Sequence, residues 1–250
     1  MPLRREHVGV LLVLIMLVIS ATPTTYTSYQ VQGVMYPPIA DVEYVLHVNP
    51  GKGGWILVKL WTYGRDAVSL SVGEPMKGVI NITGANVPYS YSRERGIITL
   101  STSGRDWVWF NYTFPRIVWL YQPAYGGYLP KRVLVIDVGE DYVQLWPREA
   151  FFKPYDLSPR SIAIRLDGVL KEWFVIASHT QRIGNLLFFD DFNMFLQSPF
   201  LAGRLYKLAE AKAGDVTVYF PVFASRLLLN DYLNEMGYDG TYDILLGAQY

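Results

Sequence analysis

With 22 acidic and 22 basic side chains in 250 residues the chain carries no formal net charge. It therefore lacks the basic surplus that phosphate binding needs, which sets nucleic acid aside as a partner. Hydrophobic residues make up 51% and aromatic residues 15%, ample for a core and far from a disordered composition. The absence of cysteine excludes disulfides and a lipid on a cysteine, so stability must come from core burial and strand pairing.

The chain opens with Arg4 and Arg5, an uncharged apolar run from Val8 to Ile19, and then Ser20-Ala21-Thr22-Pro23. That order of positive, apolar and small residues is the layout of an export signal. Twelve helical residues span about 18 Å against a hydrocarbon core of about 30 Å. The length favours a cleaved signal over a retained membrane anchor, with residues 1–21 as signal or anchor and 22–28 as a polar spacer. Either way the body is expected to work outside the cytoplasm, secreted or at the cell surface, touching a membrane only through this segment.

From residue 29 the pattern is strand after strand. Asp41 to Val48 runs into Asn49-Pro50-Gly51-Lys52-Gly53-Gly54, and Trp55 to Thr62 follows. Pro then Gly suits a type II turn, so a hairpin is expected here. The second of these strands is apolar on both faces, Trp55, Leu57 and Trp61 on one and Ile56, Val58 and Leu60 on the other, and is expected inside a sheet and not at an edge. Similar runs recur at 67–72, 79–83, 97–101, 107–113, 117–121, 133–138, 142–146, 161–166, 172–178, 204–208 and 215–220, with Gly, Pro, Asn and Asp between them. Many short strands predict an all-β fold, an antiparallel β-sandwich or two packed β-sheets spanning 29–221. No alternating helices of crossover length are present, and no internal repeat is found. After Pro221, Ser225 can cap a short C-terminal helix carrying Leu228, Leu229, Tyr232, Leu233 and Met236 and ending at Gly237, so 222–250 reads as a helical extension, the start of a further unit.

Chemistry is sparse. The histidines are His7, His47 and His179; no His-Glu-x-x-His pair exists, and neither a metal ligand set, a cofactor motif nor catalytic residues can be assigned. Ser178, His179 and Asp190 or Asp191 form a triad on paper only, without a nucleophile elbow. Gly51-Lys52-Gly53-Gly54 lacks the phosphate-loop spacing and opens a strand. Asp137 to Asp141 and Asp190-Asp191 place carboxylates in turns, where calcium could sit but where turn chemistry alone also puts Asp. Asn81-Ile82-Thr83 and Asn111-Tyr112-Thr113 are glycosylation acceptors in an exported chain. Trp107, Trp109, Tyr112, Trp119, Tyr121, Tyr125 and Tyr128 cluster within a short span. They are a candidate binding surface if exposed, with Trp107, Trp109, Trp119, Tyr121 and Tyr125 as its members, and ordinary core and edge aromatics if not.

The order from Tyr142-Val143-Gln144-Leu145-Trp146-Pro147 through Ile162 to Leu166, Trp173 to Ser178, Phe189-Asp190-Asp191-Phe192 and Gln197-Ser198-Pro199-Phe200-Leu201-Ala202-Gly203 resembles the N-terminal β domain of the M61, glycyl-aminopeptidase-like branch of gluzincin metallopeptidases. The resemblance covers roughly the latter half of the chain and treats the Ser-Pro-x-x-x-Gly segment as a turn into a final hairpin over 204–220. It implies a domain that shapes a substrate cleft. The zinc-binding helix of that family matches nothing here, so no catalytic residue carries over. The expected function is therefore a non-catalytic binding or scaffold domain, contacting a peptide or a separate catalytic peptidase chain, or one part of a truncated or split peptidase. The alternative is a structural or adhesive surface module that binds glycans or neighbouring copies through aromatic residues.

Overall fold

The computed structural model describes residues 35–122, 131–177, 179–213 and 216–223. The export segment, the spacer, Tyr125, Tyr128, Ser178 and the helix expected from Ser225 lie outside the described residues. In chain order the strands are β1 Val42–Asn49, β2 Gly53–Trp61, β3 Ala67–Ser71, β4 Asn81–Ala85, β5 Tyr89–Ser92, β6 Ile97–Ser101, β7 Trp107–Pro115, β8 Ile117–Gln122, β9 Lys131–Val138 and β10 Tyr142–Leu145. They continue with β11 Lys153–Pro154, β12 Ile162–Leu166, β13 Phe174–Ala177, β14 Gln181–Ile183, β15 Leu186–Phe189, β16 Phe200–Gly203, β17 Leu205–Ala213 and β18 Val216–Phe223. Helix α1, Pro147–Ala150, follows β10, and helix α2, Phe192–Gln197, follows β15. Among the described residues no helix is long and apolar enough to cross a membrane.

The expected all-β class is what forms, as several packed sheets. A seven-stranded sheet runs β14-β15-β12-β1-β2-β7-β4, a five-stranded sheet β13-β16-β10-β9-β8, a four-stranded sheet β11-β3-β6-β5, and β17 pairs with β18 alone. Most neighbours are antiparallel, but β1 and β12 run parallel, with Val42 opposite Ile162 and Leu46 opposite Leu166. The intervening connection holds most of two other sheets, which is why an expectation built on local hairpins does not reveal this pairing. The Pro50-Gly51 turn forms as expected: Lys52 N–H donates to the Asn49 carbonyl at 3.0 Å, and Gly51 takes the positive φ of +68° that the turn demands. Apolar on both faces, β2 sits in the middle of the large sheet between β1 and β7.

Period-two alternation decides which side of the large sheet is the core side. Val42, Tyr44, Leu46 and Val48 of β1, Ile56, Val58 and Leu60 of β2, and Val108, Phe110, Tyr112 and Phe114 of β7 enter one continuous core with Val68, Leu70, Ile98 and Leu100 of the four-stranded sheet. Ile136, Val138, Val143, Leu145 and Phe200 bring the five-stranded sheet into the same core. At its centre lies the segment from α1 to Phe152. Pro147 starts α1, Phe151 already has an extended conformation at φ −101°, ψ 144°, and the reversal drives Phe151 and Phe152, both fully buried, between the layers. Phe152 packs edge-on against Phe110 at 5.2 Å and Tyr112 at 5.1 Å, while Phe151 meets Tyr44 at 4.9 Å and Phe195 of α2 at 5.5 Å. The two buried tyrosines need partners for their hydroxyls. Tyr44 donates to the Phe152 carbonyl at 2.6 Å and Tyr112 to the Ala150 carbonyl at 2.9 Å, and burial holds both phenols well above their ordinary pKa.

The sequence does contain one short repeat. Thr62-Tyr63-Gly64-Arg65-Asp66 and Thr102-Ser103-Gly104-Arg105-Asp106 share the pattern Thr-x-Gly-Arg-Asp. They form adjacent corners where β2 turns into β3 and β6 turns into β7, so a pair of strands leaves one sheet and joins another together. Trp61 opposes Trp107 below the corners and Ala67 opposes Ser101 above them. The corners match residue for residue: φ is +54° at Tyr63 and +49° at Ser103, and +75° at both Gly64 and Gly104. They also lock reciprocally. Thr62 N–H donates to the Asp106 carbonyl at 2.9 Å and Thr102 N–H to the Asp66 carbonyl at 2.8 Å, while the Thr62 hydroxyl donates to the Arg105 carbonyl and the Thr102 hydroxyl to the Arg65 carbonyl.

Two local expectations are corrected. Ser198-Pro199 does not make a turn into the last hairpin: Ser198 ends α2 and Phe200–Gly203 is a paired strand, Leu201 opposite both Gln144 and Ile176. The hairpin expected over 204–220 extends to Phe223, past the boundary at 221, with its tip outside the described residues.

Phe152→Ala removes the side chain that three aromatic rings pack around, and is expected to destabilise the chain by about 3–5 kcal/mol. Phe174→Ala, at a residue 37% exposed, should change stability by less than about 1 kcal/mol; urea unfolding of both variants checks the contrast.

Candidate functional site

The face of the seven-stranded sheet turned away from the core carries an unexpected arrangement of polar groups. Alternation puts Glu43, Val45 and His47 of β1 on this face, with Trp55, Leu57, Lys59 and Trp61 of β2, Trp107, Trp109, Asn111 and Thr113 of β7, and Ala163 and Arg165 of β12. Register makes neighbours of them: Glu43 faces Lys59, His47 faces Trp55, Val45 faces Arg165, and Lys59 faces Trp109. Glu43 is fully buried. Its carboxylate holds Lys59 Nζ at 2.7 Å and Arg165 Nε at 2.7 Å, and accepts the Ile39 N–H at 3.1 Å. Lys59 is 7% exposed at the side chain and Arg165 34%, so the cluster is a carboxylate between two cations, one of them reaching the surface.

Toward the end of β1, His47 stacks on Trp55 at 4.9 Å with the rings 7° from parallel. Its Nδ1 lies 3.1 Å from Asp167, which also holds Lys171 at 3.3 Å. Burial alone would raise the Asp167 pKa, but the Gly168 N–H, His47 and Lys171 outweigh it and hold that carboxyl below its ordinary value. Gly168, at φ +57°, lets the chain pass the imidazole: a Cβ there would lie 2.8 Å from it.

The expected aromatic surface divides between two places. Trp107 and Trp109 lie half-buried on the large sheet's outer face, so they are not a freely exposed stacking platform. Trp119 and Tyr121 sit on β8, 38% and 64% exposed, with Ile117 at 42%. Among the described residues this strand pairs with β9 alone and forms one edge of the five-stranded sheet. Apart from the longer β17 and β18 of the two-stranded sheet, several other edges are short or interrupted. Strand β11 is two residues with Pro154, β14 is three residues, and β4 has a register shift at Ile82/Gly84. Strand β8 has six residues, Ile-Val-Trp-Leu-Tyr-Gln, without proline or charge, and carries a register shift of its own at Val118/Trp119.

The glycosylation acceptors differ in access. Asn81 is partly exposed on the edge strand β4, whereas Asn111 is 3% exposed and its Oδ1 has no hydrogen-bond partner. A side chain so enclosed does not present an amide to a transferase in the folded protein. Of the paper triad, Asp191 caps α2 by accepting the Met194 N–H at 2.9 Å and His179 occupies a turn at φ +54°, while Ser178 lies outside the described residues. Asp137 lies in β9 and not in a turn; the Tyr142 hydroxyl donates to it at 2.9 Å, so that carboxylate already has a protein partner, and burial raises its pKa. Among the described residues no three His, Asp or Glu side chains gather as a metal site.

Reading the sequence did not find Glu43, Lys59 and Arg165. Their signal is a single charge inside each of three apolar strands; alternation places all three on one face, but only the parallel β1/β12 pairing makes Arg165 a neighbour of Glu43.

No family model matches the sequence, and no curated protein sequence matches it. The fold does have solved counterparts. An aminopeptidase N family protein from Idiomarina loihiensis aligns with a TM-score of 0.52 at 13% identity, over 76% of this chain and 34% of that one. Aminopeptidase A from Legionella pneumophila aligns at 0.44 and 7% identity, over 74% and 24%, and leukotriene A4 hydrolase from Saccharomyces cerevisiae at 0.37 and 14%, over 79% and 33%. The chain thus spans about a third of the length of the first of these and shares the fold of the part it covers.

Glu43→Gln leaves the Lys59 ammonium buried without a counter-charge and should cost about 3–5 kcal/mol, whereas Glu43→Leu with Lys59→Met should cost clearly less. Equal losses in denaturant titrations would show that the ion pair itself does not matter. Produced in a glycosylating secretory host, the folded chain should carry glycan at Asn81 and none at Asn111. Mass spectrometry of the glycopeptides reads this directly, and occupied Asn111 in folded material would contradict the burial argument.

Proposed function

We propose that this chain is a non-catalytic, exported β domain that binds an extended peptide segment, in the manner of a cleft-shaping domain beside a peptidase unit. Three lines support the reading: the aminopeptidase-associated fold, the sequence resemblance to the M61 N-terminal β domain, and the layout of the first 21 residues, which favours export. The observation that carries it is the edge strand β8, a six-residue run without proline or charge that, among the described residues, is paired on one side; with Ile117, Trp119 and Tyr121 exposed, it offers an added strand main-chain hydrogen bonds and side-chain contacts past its register shift at Val118/Trp119. A partner could be a peptide substrate or a segment of a separate catalytic chain; both present extended backbone. The same edge would serve copy-to-copy adhesion, the alternative reading. Glycan stacking draws less support, because Trp107 and Trp109 lie half-buried in the large sheet.

The test uses a fluorescein-labelled Thr-Val-Thr-Val-Thr-Lys peptide with the purified chain. Saturable polarisation that weakens about tenfold or more in Trp119→Lys/Tyr121→Lys supports edge binding. Concentration-dependent dimers that the same double substitution abolishes, with no peptide binding, would transfer the reading to adhesion. Turnover of an aminoacyl-nitroanilide by the chain with zinc added would overturn the non-catalytic part.

A further inference from the structure

A cleft of about 210 Å³ opens beside the first Thr-x-Gly-Arg-Asp corner, lined by Asp41, Tyr63, Arg65, Leu157, Ser158 and Pro159. The paired corners supply an internal control for what the backbone alone requires. Both adopt the same turn, yet the residue in the left-handed region is Ser103 in one and Tyr63 in the other. Serine satisfies that turn, so an aromatic residue at φ +54° is a costlier choice that the corner itself does not explain. Tyr63 does something Ser103 does not: it reaches across to Asp41, and its hydroxyl donates to Asp41 Oδ1 at 2.6 Å, so that the ring stands as a wall of the cleft.

The cleft holds one anion, Asp41, and one cation, Arg65, and the two are held differently. Asp41 Oδ2 accepts the N–H groups of Arg160 at 2.6 Å and Ser161 at 3.3 Å, so both carboxylate oxygens are engaged by the protein. Burial would raise its pKa, but the bonds from Tyr63, Arg160 and Ser161 outweigh it and hold the group below its ordinary value. Burial, the bond to Asp41 and its charge push Tyr63 up to about 12, against a smaller opposing effect of the nearby Arg160, so its hydroxyl remains a donor. Arg65 is exposed and, among the described residues, pairs with no carboxylate. One wall is thus a cation with no ion-pair partner among the described residues, another is the Asp41 carboxylate, already occupied by Tyr63, Arg160 and Ser161, and the rest are the Tyr63 ring, Leu157 and Pro159.

We propose that this cleft binds a small carboxylate ligand bearing an apolar or aromatic group. Arg65 takes the carboxylate in the two-pronged geometry that guanidinium favours, Ser158 adds a hydroxyl donor, and the apolar group lies against Tyr63, Leu157 and Pro159. The volume is below that of a drug-sized pocket and suits one residue-sized group, either a free acid or the C-terminal residue of a peptide. The proposal does not depend on the β8 edge, which belongs to another sheet.

The probes are N-acetyl-L-phenylalanine, its C-terminal amide, and Ala-Ala-Phe, each titrated into the full chain by calorimetry and by amide chemical shifts. Saturable binding of the acid is expected, weakened about tenfold or more in the amide, in Arg65→Gln and in Tyr63→Ser. Tyr63→Ser copies the residue that already occupies the second corner, so the fold should survive it. Arg105→Gln, the equivalent substitution in the second corner, should leave binding unchanged. Ala-Ala-Phe binding as well as the acid identifies a peptide C-terminus as the source, and its exclusion identifies a free acid. Absence of saturable binding up to about 10 mM, equal binding of acid and amide, or an Arg105→Gln loss equal to that of Arg65→Gln would each overturn the proposal.

Discussion

A broad sheet with one apolar face is stable only against something that covers that face, and here the cover is organised around three residues, Ala150, Phe151 and Phe152. The two phenylalanines supply aromatic surface on both sides of the chain, edge-on to Tyr44, Phe110, Tyr112 and Phe195. The carbonyls of Ala150 and Phe152 receive the hydroxyls of Tyr112 and Tyr44. Each of those four polar groups would be costly to bury unpaired. The hydrogen bonds therefore fix where the segment sits, and the rings supply the apolar burial that holds it there. Because Tyr44 and Tyr112 belong to β1 and β7, on either side of β2, the segment grips the middle of the large sheet. Its own strand, β10, belongs to the five-stranded sheet, so the two sheets meet through it.

The paired corners play the matching role at the other boundary. An antiparallel strand pair that passes from one sheet to the next must bend both strands at the same level, or the register breaks. Two Thr-x-Gly-Arg-Asp turns with the same positive φ values do this, and each buried threonine closes on the other turn's backbone. The side chain at the second position of each turn takes no part in this locking. The difference between Tyr63 and Ser103 falls at such a position, where the cleft lies.

Much of the strand content is legible in the sequence because period-two alternation and turn residues are local signals: Ile97 to Ser101, the Pro50-Gly51 hairpin and the interior position of β2 all follow from residues within a few positions of one another. What is not legible is non-local. The parallel pairing of β1 with β12 joins segments about 120 residues apart, and without it Arg165 cannot be seen as a neighbour of Glu43. Short strands such as Tyr89–Ser92, with exposed serines, carry too little hydrophobic pattern to stand out, and α2 follows an apolar run that reads equally as strand. Asn111 shows the same limit at a single residue: a sequon reports an acceptor motif, while its access depends on which face of β7 it occupies. The repeat at 62–66 and 102–106 is readable in principle, since identity at four of five positions is visible without structure.

Native-state hydrogen exchange tests most directly whether residues 150–152 join the sheets. If they do, amides of β1, β7 and β10 should share one opening free energy in the parent chain, and Phe152→Leu should lower all three by the same amount. Loss of protection confined to β10, with β1 and β7 unchanged, would contradict the account and show that the large sheet holds its core face without this segment.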